Sequence, residues 1–259
     1  MLSYQHAYHA GGPADVHKHI VLAELLARLT AKPRGLSYVE THAGRGLYDL
    51  AAPEVAKTGE AAAGIARLAA DPATPFGRAL AAVHRAHGAT AYPGSPLVAR
   101  ALLRPQDRLT LIELHPAEHA ALSGTLAAAG TAIHRRDGFE GVLALAPFTP
   151  RRGLVLVDPS YEVKSDYEAT AAFVRRLVAR WPEAAILVWY PILPAARHAA
   201  LRDGLRPLPV AFDEAAFAVP PARGMTGSGL ALVNAPYGSA AAFAAARAQA
   251  APVLAPRPA

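Results

Sequence analysis

The sequence predicts an α/β fold, in which a mostly parallel sheet is covered by helices on both faces and carries an antiparallel hairpin at one edge. Short apolar runs that read as strands lie at 36–40, 109–114, 131–135, 153–157 and 184–190, with helical periodicity between them. These runs are apolar throughout rather than alternating. Burial on both faces produces that pattern, and it is typical of parallel sheets. Two last strands, at 208–219 and 229–233, are joined by the turn-rich stretch 220–228 without a clear helix. They read as the edge hairpin and bring the sheet to seven strands.

Residues 14–30 carry Val16, Ile20, Leu22, Leu25, Leu26 and Leu29 at helical spacing, with Asp15 as a plausible start. Pro33 and Gly35 break the helix, and the first strand then runs into Thr41-His42-Ala43-Gly44-Arg45-Gly46. The segment 47–104 is too long for a simple crossover. With helices at 60–70, 76–87 and 97–103, it reads as a helical subdomain inserted into a single domain spanning 1–250. Helices at 117–129, 139–145, 167–180 and 195–203 alternate with the later strands. The Pro/Ala-rich residues 251–259 are expected as a flexible tail.

A chain of 259 residues can bury a sizeable core, and 53% hydrophobic against 18% charged residues excludes wholesale disorder. There is no cysteine, so disulfides and thiolate metal sites are excluded. No apolar run approaches the roughly 20 residues a spanning helix needs. The N-terminus lacks the basic stretch and apolar core of a signal peptide. A soluble, cytoplasmic protein is expected, and nothing demands a dimer, so a monomer is the expectation. The net charge of +6 is almost all arginine, since only Lys18, Lys32, Lys57 and Lys164 are lysines. A basic surface favours a polyanionic partner such as nucleic acid. His6, His9, His17 and His19 cluster in the sequence, but their spacing matches no common zinc pattern and no metal site is expected.

In doubly wound sheets, ligands bind at the carboxyl ends of strands. The residues after each strand therefore form one candidate site. Gly44 and Gly46 let the backbone turn sharply close to a ligand, and Glu40 four residues earlier suits a cationic group. This is not a full dinucleotide fingerprint, because Asp49 stands where its third glycine would be. Glu113 ends the second strand, where a carboxylate can accept both hydroxyls of a ribose. Asp137-Gly138 follows the third strand. The Asp can accept from an adenine amino group or simply cap the next helix, and the Gly allows close approach to a ring. The fourth strand ends at Asp158-Pro159-Ser160-Tyr161, the most specific signal in the chain.

That tetrapeptide resembles the (Asn/Asp/Ser)-Pro-Pro-(Tyr/Phe) motif of amino methyltransferases. An exocyclic amine is a poor nucleophile because its lone pair is delocalised into the ring. The Asp158 carboxylate and the Pro159 carbonyl can accept its two hydrogens, and Tyr161 can supply a face for the flipped base. Asn234-Ala235-Pro236-Tyr237 is a rival copy, but it follows the last strand and reads as structural.

With these residues come Tyr4, His6, His9-Ala10-Gly11, Ala14-Asp15-Val16, Lys18-His19, Thr58-Gly59-Glu60 and Tyr92-Pro93-Gly94-Ser95-Pro96. Glu113-Leu114-His115-Pro116, Trp189-Tyr190-Pro191 and Arg223-Gly224-Met225-Thr226 follow later. Together they resemble the bacterial 23S rRNA (adenine-2030-N6)-methyltransferase family RlmJ, also called YhiR, across nearly the whole chain. The resemblance implies a Rossmann-like class I methyltransferase fold and S-adenosylmethionine as cofactor. It further implies that His19, His42, Ser95, Glu113, Asp137 and Gly138, with Gly44 in the glycine turn, hold that cofactor. Asp158 would lie by both the cofactor and the reacting amine. Tyr4 and Lys18 would face the RNA, and the substrate would be 23S rRNA before its subunit is complete. The transfer expected is direct and in line.

Two departures stand out. Ser160 replaces the family's second proline, and Gly12-Pro13 replaces its Asn/His pair. A DNA adenine-N6 methyltransferase, a nicotinamide oxidoreductase and an inactive RNA-binding protein of the same fold are the competing readings. The incomplete glycine fingerprint and the Asp158–Tyr161 turn argue against the oxidoreductase.

Overall fold

The computed structural model describes residues 6–128, 130–221 and 224–256. After a 3-10 turn at His6–Tyr8 comes α1 (Pro13–Thr30), whose first position is a proline preorganised for a helix start. β1 (Ser37–Glu40) follows, then the short strand β2 (Leu47–Asp49), α2 (Pro53–Thr58), α3 (Glu60–Ala63) and α4 (Pro75–His87). Next come β3 (Ala91–Pro93), α5 (Ser95–Leu102), β4 (Arg108–Ile112), α6 (Pro116–Leu126), β5 (Thr131–His134) and α7 (Gly138–Leu145). The remainder is β6 (Gly153–Val157), α8 (Asp166–Arg180), β7 (Ala184–Ile192), α9 (His198–Leu205), β8 (Val210–Ala216), β9 (Gly227–Val233) and α10 (Ser239–Ala250).

Seven strands form one sheet in the order β5-β4-β1-β6-β7-β9-β8. β9 alone runs antiparallel to its neighbours, pairing with β7 on one side and β8 on the other. The expected edge hairpin is therefore present, and the architecture is the Rossmann-like α/β fold. The sheet buries two cores. Tyr38, Leu109, Leu111, Leu154 and Leu156 face one, shared with α1, α4, α5 and α10. Val39, Ile112, Val155 and Val157 face the other, shared with Tyr167, Phe173, Val174 and Leu177 of α8. Alternate side chains of one apolar strand thus feed opposite cores, which is why these strands lack a polar face.

Three expectations change, and one further helix emerges. Residues 47–104 are not purely helical, because β2 and β3 pair as an antiparallel ribbon from Leu47↔Pro93 to Asp49↔Ala91. The expected helix 60–70 is interrupted at Gly64, after which Ile65–Arg67 form a 3-10 turn and the Ile65 N–H donates to the Gly11 carbonyl. The alanine-rich stretch after residue 238 forms α10, which packs on α1. Residues 251–256 of the expected flexible tail are docked. Val253 and Leu254 are buried, and Leu254 bridges to Phe217. Both join the core that contains Ala215 of β8 and Phe243 of α10, so the Pro/Ala composition misleads here.

Candidate active site

The carboxyl ends of β1, β4, β5 and β6 open into one cavity of about 580 Å³. Its walls include His19, His42, Gly44, Ser95, Glu113, Asp137, Gly138, Asp158, Pro159 and Tyr161, so these sequence-selected residues converge. Tyr4, the other RNA-facing candidate, lies outside the described residues.

The glycine turn after β1 shapes one wall. Gly44 adopts a left-handed φ of +62°, and its N–H donates to Glu113 Oε2 at 2.8 Å. The His115 N–H donates to the other carboxylate oxygen at 2.7 Å. Two backbone donors therefore fix the Glu113 carboxylate at the rim of β4, with lone pairs left for a ligand's hydroxyls. Asp137 caps α7 by accepting the Glu140 N–H at 2.9 Å, and it also lines the cavity. At Gly138, which also lines the cavity, a β-carbon would come within 2.0 Å of the Thr41 carbonyl oxygen, so the backbone of the β1 turn by itself excludes a side chain there.

Several candidates are already engaged by the protein. Ser95 donates to Glu40 Oε2 at 2.8 Å, and Tyr38 donates to Glu40 Oε1 at 2.7 Å. Glu40 is fully buried beneath the cavity rather than on its wall, so it does not offer itself directly to a cationic ligand. Burial pushes its carboxyl up to about 8 against those two hydrogen bonds. His19 bonds the Tyr92 hydroxyl at 3.0 Å, and burial lowers its pKa to about 3, so it is a neutral imidazole. His42 bonds Thr41 Oγ1 at 2.8 Å and meets the Phe139 ring edge-on, and burial lowers its pKa too.

Lys18, the second residue expected to face the RNA, is 3% exposed and lines the cavity. Its ammonium lies 2.6 Å from Asp158 Oδ2 and 3.0 Å from Asp15 Oδ1. Burial disfavours the charge, but the two carboxylates outweigh burial and raise the pKa, so Lys18 stays an ammonium. Asp15 is no simple helix cap. Its carboxylate accepts the Gly11 N–H, pairs with His6 at 3.0 Å and holds Lys18. Burial opposes its ionisation, but His6 and Lys18 hold its pKa well below the usual range. The Asp15–Lys18 spacing on one helix was visible in the sequence. Its connection to Asp158, 140 positions away, was not.

Tyr161 closes the far wall. Its φ is +54°, its hydroxyl donates to the Trp189 carbonyl at 2.8 Å, and its ring sits 4.6 Å from that of Tyr167. Trp189, given no role by its sequence position, also lines the cavity, and its indole lies 5.4 Å beneath the Lys18 ammonium. The four N-terminal histidines have different hydrogen-bond partners, although His19 Nε2 also lies 3.9 Å from the Asp15 carboxylate that His6 meets. His6 meets Asp15, His9 meets Glu60, His17 meets Ser228 and Asp213, and His19 meets Tyr92. Asn234–Tyr237 sits at the opposite end of the sheet. β9 runs antiparallel, so Val233 pairs with Ile186 near the amino end of β7.

Comparison with known proteins agrees with this geometry. The model of the family described as "Ribosomal RNA large subunit methyltransferase D, RlmJ" matches residues 33–257. The ribosomal RNA large subunit methyltransferase J of Escherichia coli is 36% identical over 92% of this chain and 88% of its own length. Its Haemophilus influenzae counterpart is 38% identical over the same shares. The crystal structure of protein LPL1258 from Legionella pneumophila superposes with a TM-score of 0.81 at 33% identity, covering 94% of this chain and 95% of that one. On the extent of the family match and the identity to both relatives, the chain belongs to the RlmJ family of ribosomal RNA large subunit methyltransferases.

Proposed function

We propose that the chain methylates the N6 amine of one adenine in 23S ribosomal RNA, with S-adenosylmethionine as methyl donor. The observation that carries this reading is the Asp158-Pro159 turn on the cavity wall, with Lys18 bound to one carboxylate oxygen. A nucleoside cofactor fits the residues present. Glu113, pinned by two backbone N–H groups, suits ribose hydroxyls, and Asp137 beside Gly138 and Phe139 suits an adenine edge. His19, His42 and Ser95 complete that wall. Bound there, the cofactor supplies an electrophilic methyl group on a sulfonium sulfur.

The chain's own residues then hold the nucleophile. Lys18 engages Asp158 Oδ2 and so orients the carboxylate, with Oδ1 to accept one amine hydrogen. The Pro159 carbonyl accepts the second. Tyr161, fixed through its hydroxyl, forms the wall for the extruded base. Aligning the amine with a good leaving group accounts for most of the catalysis, and no strong base is needed. The amine proton leaves to Asp158 or to water after transfer. Exposed Arg78, Arg85 and Arg100 on α4 and α5 are placed for phosphate contacts, which would make RNA affinity fall with salt. In this reading the chain acts as a monomer on rRNA before its subunit is complete.

Methyl transfer from tritiated S-adenosylmethionine to unmodified 23S rRNA, with a DNA duplex in parallel, tests the reading by nucleoside analysis. Label in N6-methyladenosine from RNA alone is expected. Label in the DNA would replace it with a DNA adenine methyltransferase, and no label despite cofactor binding would sink it.

A further inference from the structure

A buried polar chain leads away from the cavity into the body of the molecule. The Trp189 indole N–H donates to Ser228 Oγ at 2.9 Å. Ser228 Oγ lies 3.0 Å from His17 Nδ1, and His17 Nε2 lies 3.1 Å from Asp213 Oδ2. Arg247 then pairs with Asp213, with its Nη2 3.0 Å from Oδ1. Five residues from α1, β7, β8, β9 and α10 thus form one line.

The proton directions along it follow from valence. Arg247 can only donate, so Asp213 accepts. Burial keeps His17 neutral against the pull of Asp213, so it carries a single ring proton. That proton sits on Nε2, facing the carboxylate. Nδ1 is then an acceptor, so Ser228 donates to it and can accept the indole N–H. From Trp189 through Ser228 and His17 each donor points toward Asp213, Arg247 donates to the same carboxylate from the other side, and each group has one orientation that satisfies the rest. The resemblance to a nucleophilic triad is superficial, because Ser228 is fully buried and its hydroxyl is engaged on both sides.

The line ends where the active site begins. Trp189 lies beneath the Lys18 ammonium, and its carbonyl anchors the Tyr161 hydroxyl. His17 and Lys18 are adjacent on α1 and point in different directions, His17 to the line and Lys18 to Asp158. We propose that Arg247, Asp213, His17 and Ser228 are positioning residues, which lock the Trp189 indole and the register of α1 so that Lys18 and Tyr161 flank Asp158 in the geometry needed for transfer. This rests on the methyltransferase reading above.

The test is Ser228→Ala beside Trp189→Phe and the double variant, each measured per folded molecule. Each single change should lower kcat by about tenfold or more while KM for S-adenosylmethionine stays within about twofold. The double variant should be no worse than the poorer single one, because both cut the same line. A readout independent of turnover is the Trp189 indole N–H resonance. The chain has two tryptophans, so Trp189→Phe assigns it, and Ser228→Ala should shift it while leaving the Trp181 signal in place. An unshifted Trp189 resonance, additive kinetic losses or a Ser228→Ala enzyme with wild-type kcat would overturn the proposal. If Ser228→Ala does not fold, Trp189→Phe with wild-type kcat still overturns it. A wild-type protein without methylation would fail the functional reading instead, and the resonance shift would still report on the line.

Discussion

Asp158–Tyr161 and Asn234–Tyr237 are near copies in sequence and opposites in setting. Both follow apolar strands, and both contain a non-glycine residue in the left-handed region, Tyr161 at +54° and Asn234 at +52°. Tyr161 is 7% exposed on the cavity wall, whereas Tyr237 is fully exposed. Asp158 meets an ammonium at 2.6 Å, whereas the Asn234 amide donates to the Pro182 and Ala184 carbonyls and ties down the start of β7. The difference is one of strand direction. β6 runs parallel to β1 and delivers its turn to the shared carboxyl edge, while β9 runs the other way and delivers its turn to the far edge. A motif acquires chemistry here from the end of the sheet at which it emerges.

Breaking the Asp158 turn should have the largest consequence. Asp158→Asn should cut RNA methylation on the order of a thousandfold, with cofactor affinity by calorimetry little changed. Weakened cofactor binding as the main effect would move Asp158 from the amine to the cofactor. Lys18→Met comes next. It leaves the buried Asp15 and the half-buried Asp158 without their shared cation, and chemical denaturation should register a stability loss of about 3 kcal/mol together with slower turnover. Gly138→Ala should weaken cofactor binding about tenfold by displacing the Thr41 backbone, with a smaller change in melting temperature. On the far edge, Asn234→Ala should cost about 1 kcal/mol of stability and leave kcat untouched.

Glu40 sharpens the comparison through pH. Burial raises its folded-state pKa to about 8 from an ordinary 4.5, so the native state keeps a proton that the unfolded chain gives up. The stability from the neutral form is complete below about pH 4.5 and is lost as the pH rises through about 8. Denaturation of the cofactor-free protein across that window should show the decline, and Glu40→Gln should flatten it.

Much of this was legible in the chain. Apolar runs such as 153–157 and 184–190 reveal buried parallel strands directly, and the polar residues just after them line up as the site because topology sends parallel strands to one edge. Other parts left no trace. β2 and β3 are three residues each and carry no periodicity to read. α10 is nearly all alanine, so its buried and exposed faces look alike. Lys18 sits on a helix whose pattern is plain, but which way its side chain points depends on how α1 packs across β7 and β9. That contact joins residues 140 positions apart, and local sequence does not encode it. Val253 and Leu254 were lost among prolines and alanines for the same reason.

The most direct test sets the wild-type protein, Asp158→Asn and Asn234→Ala side by side on unmodified 23S rRNA, with digestion to nucleosides and quantification of N6-methyladenosine. Equal product from wild type and Asn234→Ala, with none above background from Asp158→Asn, is the predicted result. Retained product from Asp158→Asn, or its loss in Asn234→Ala at equal folded protein, would contradict the assignment of the reacting amine to the β6 turn.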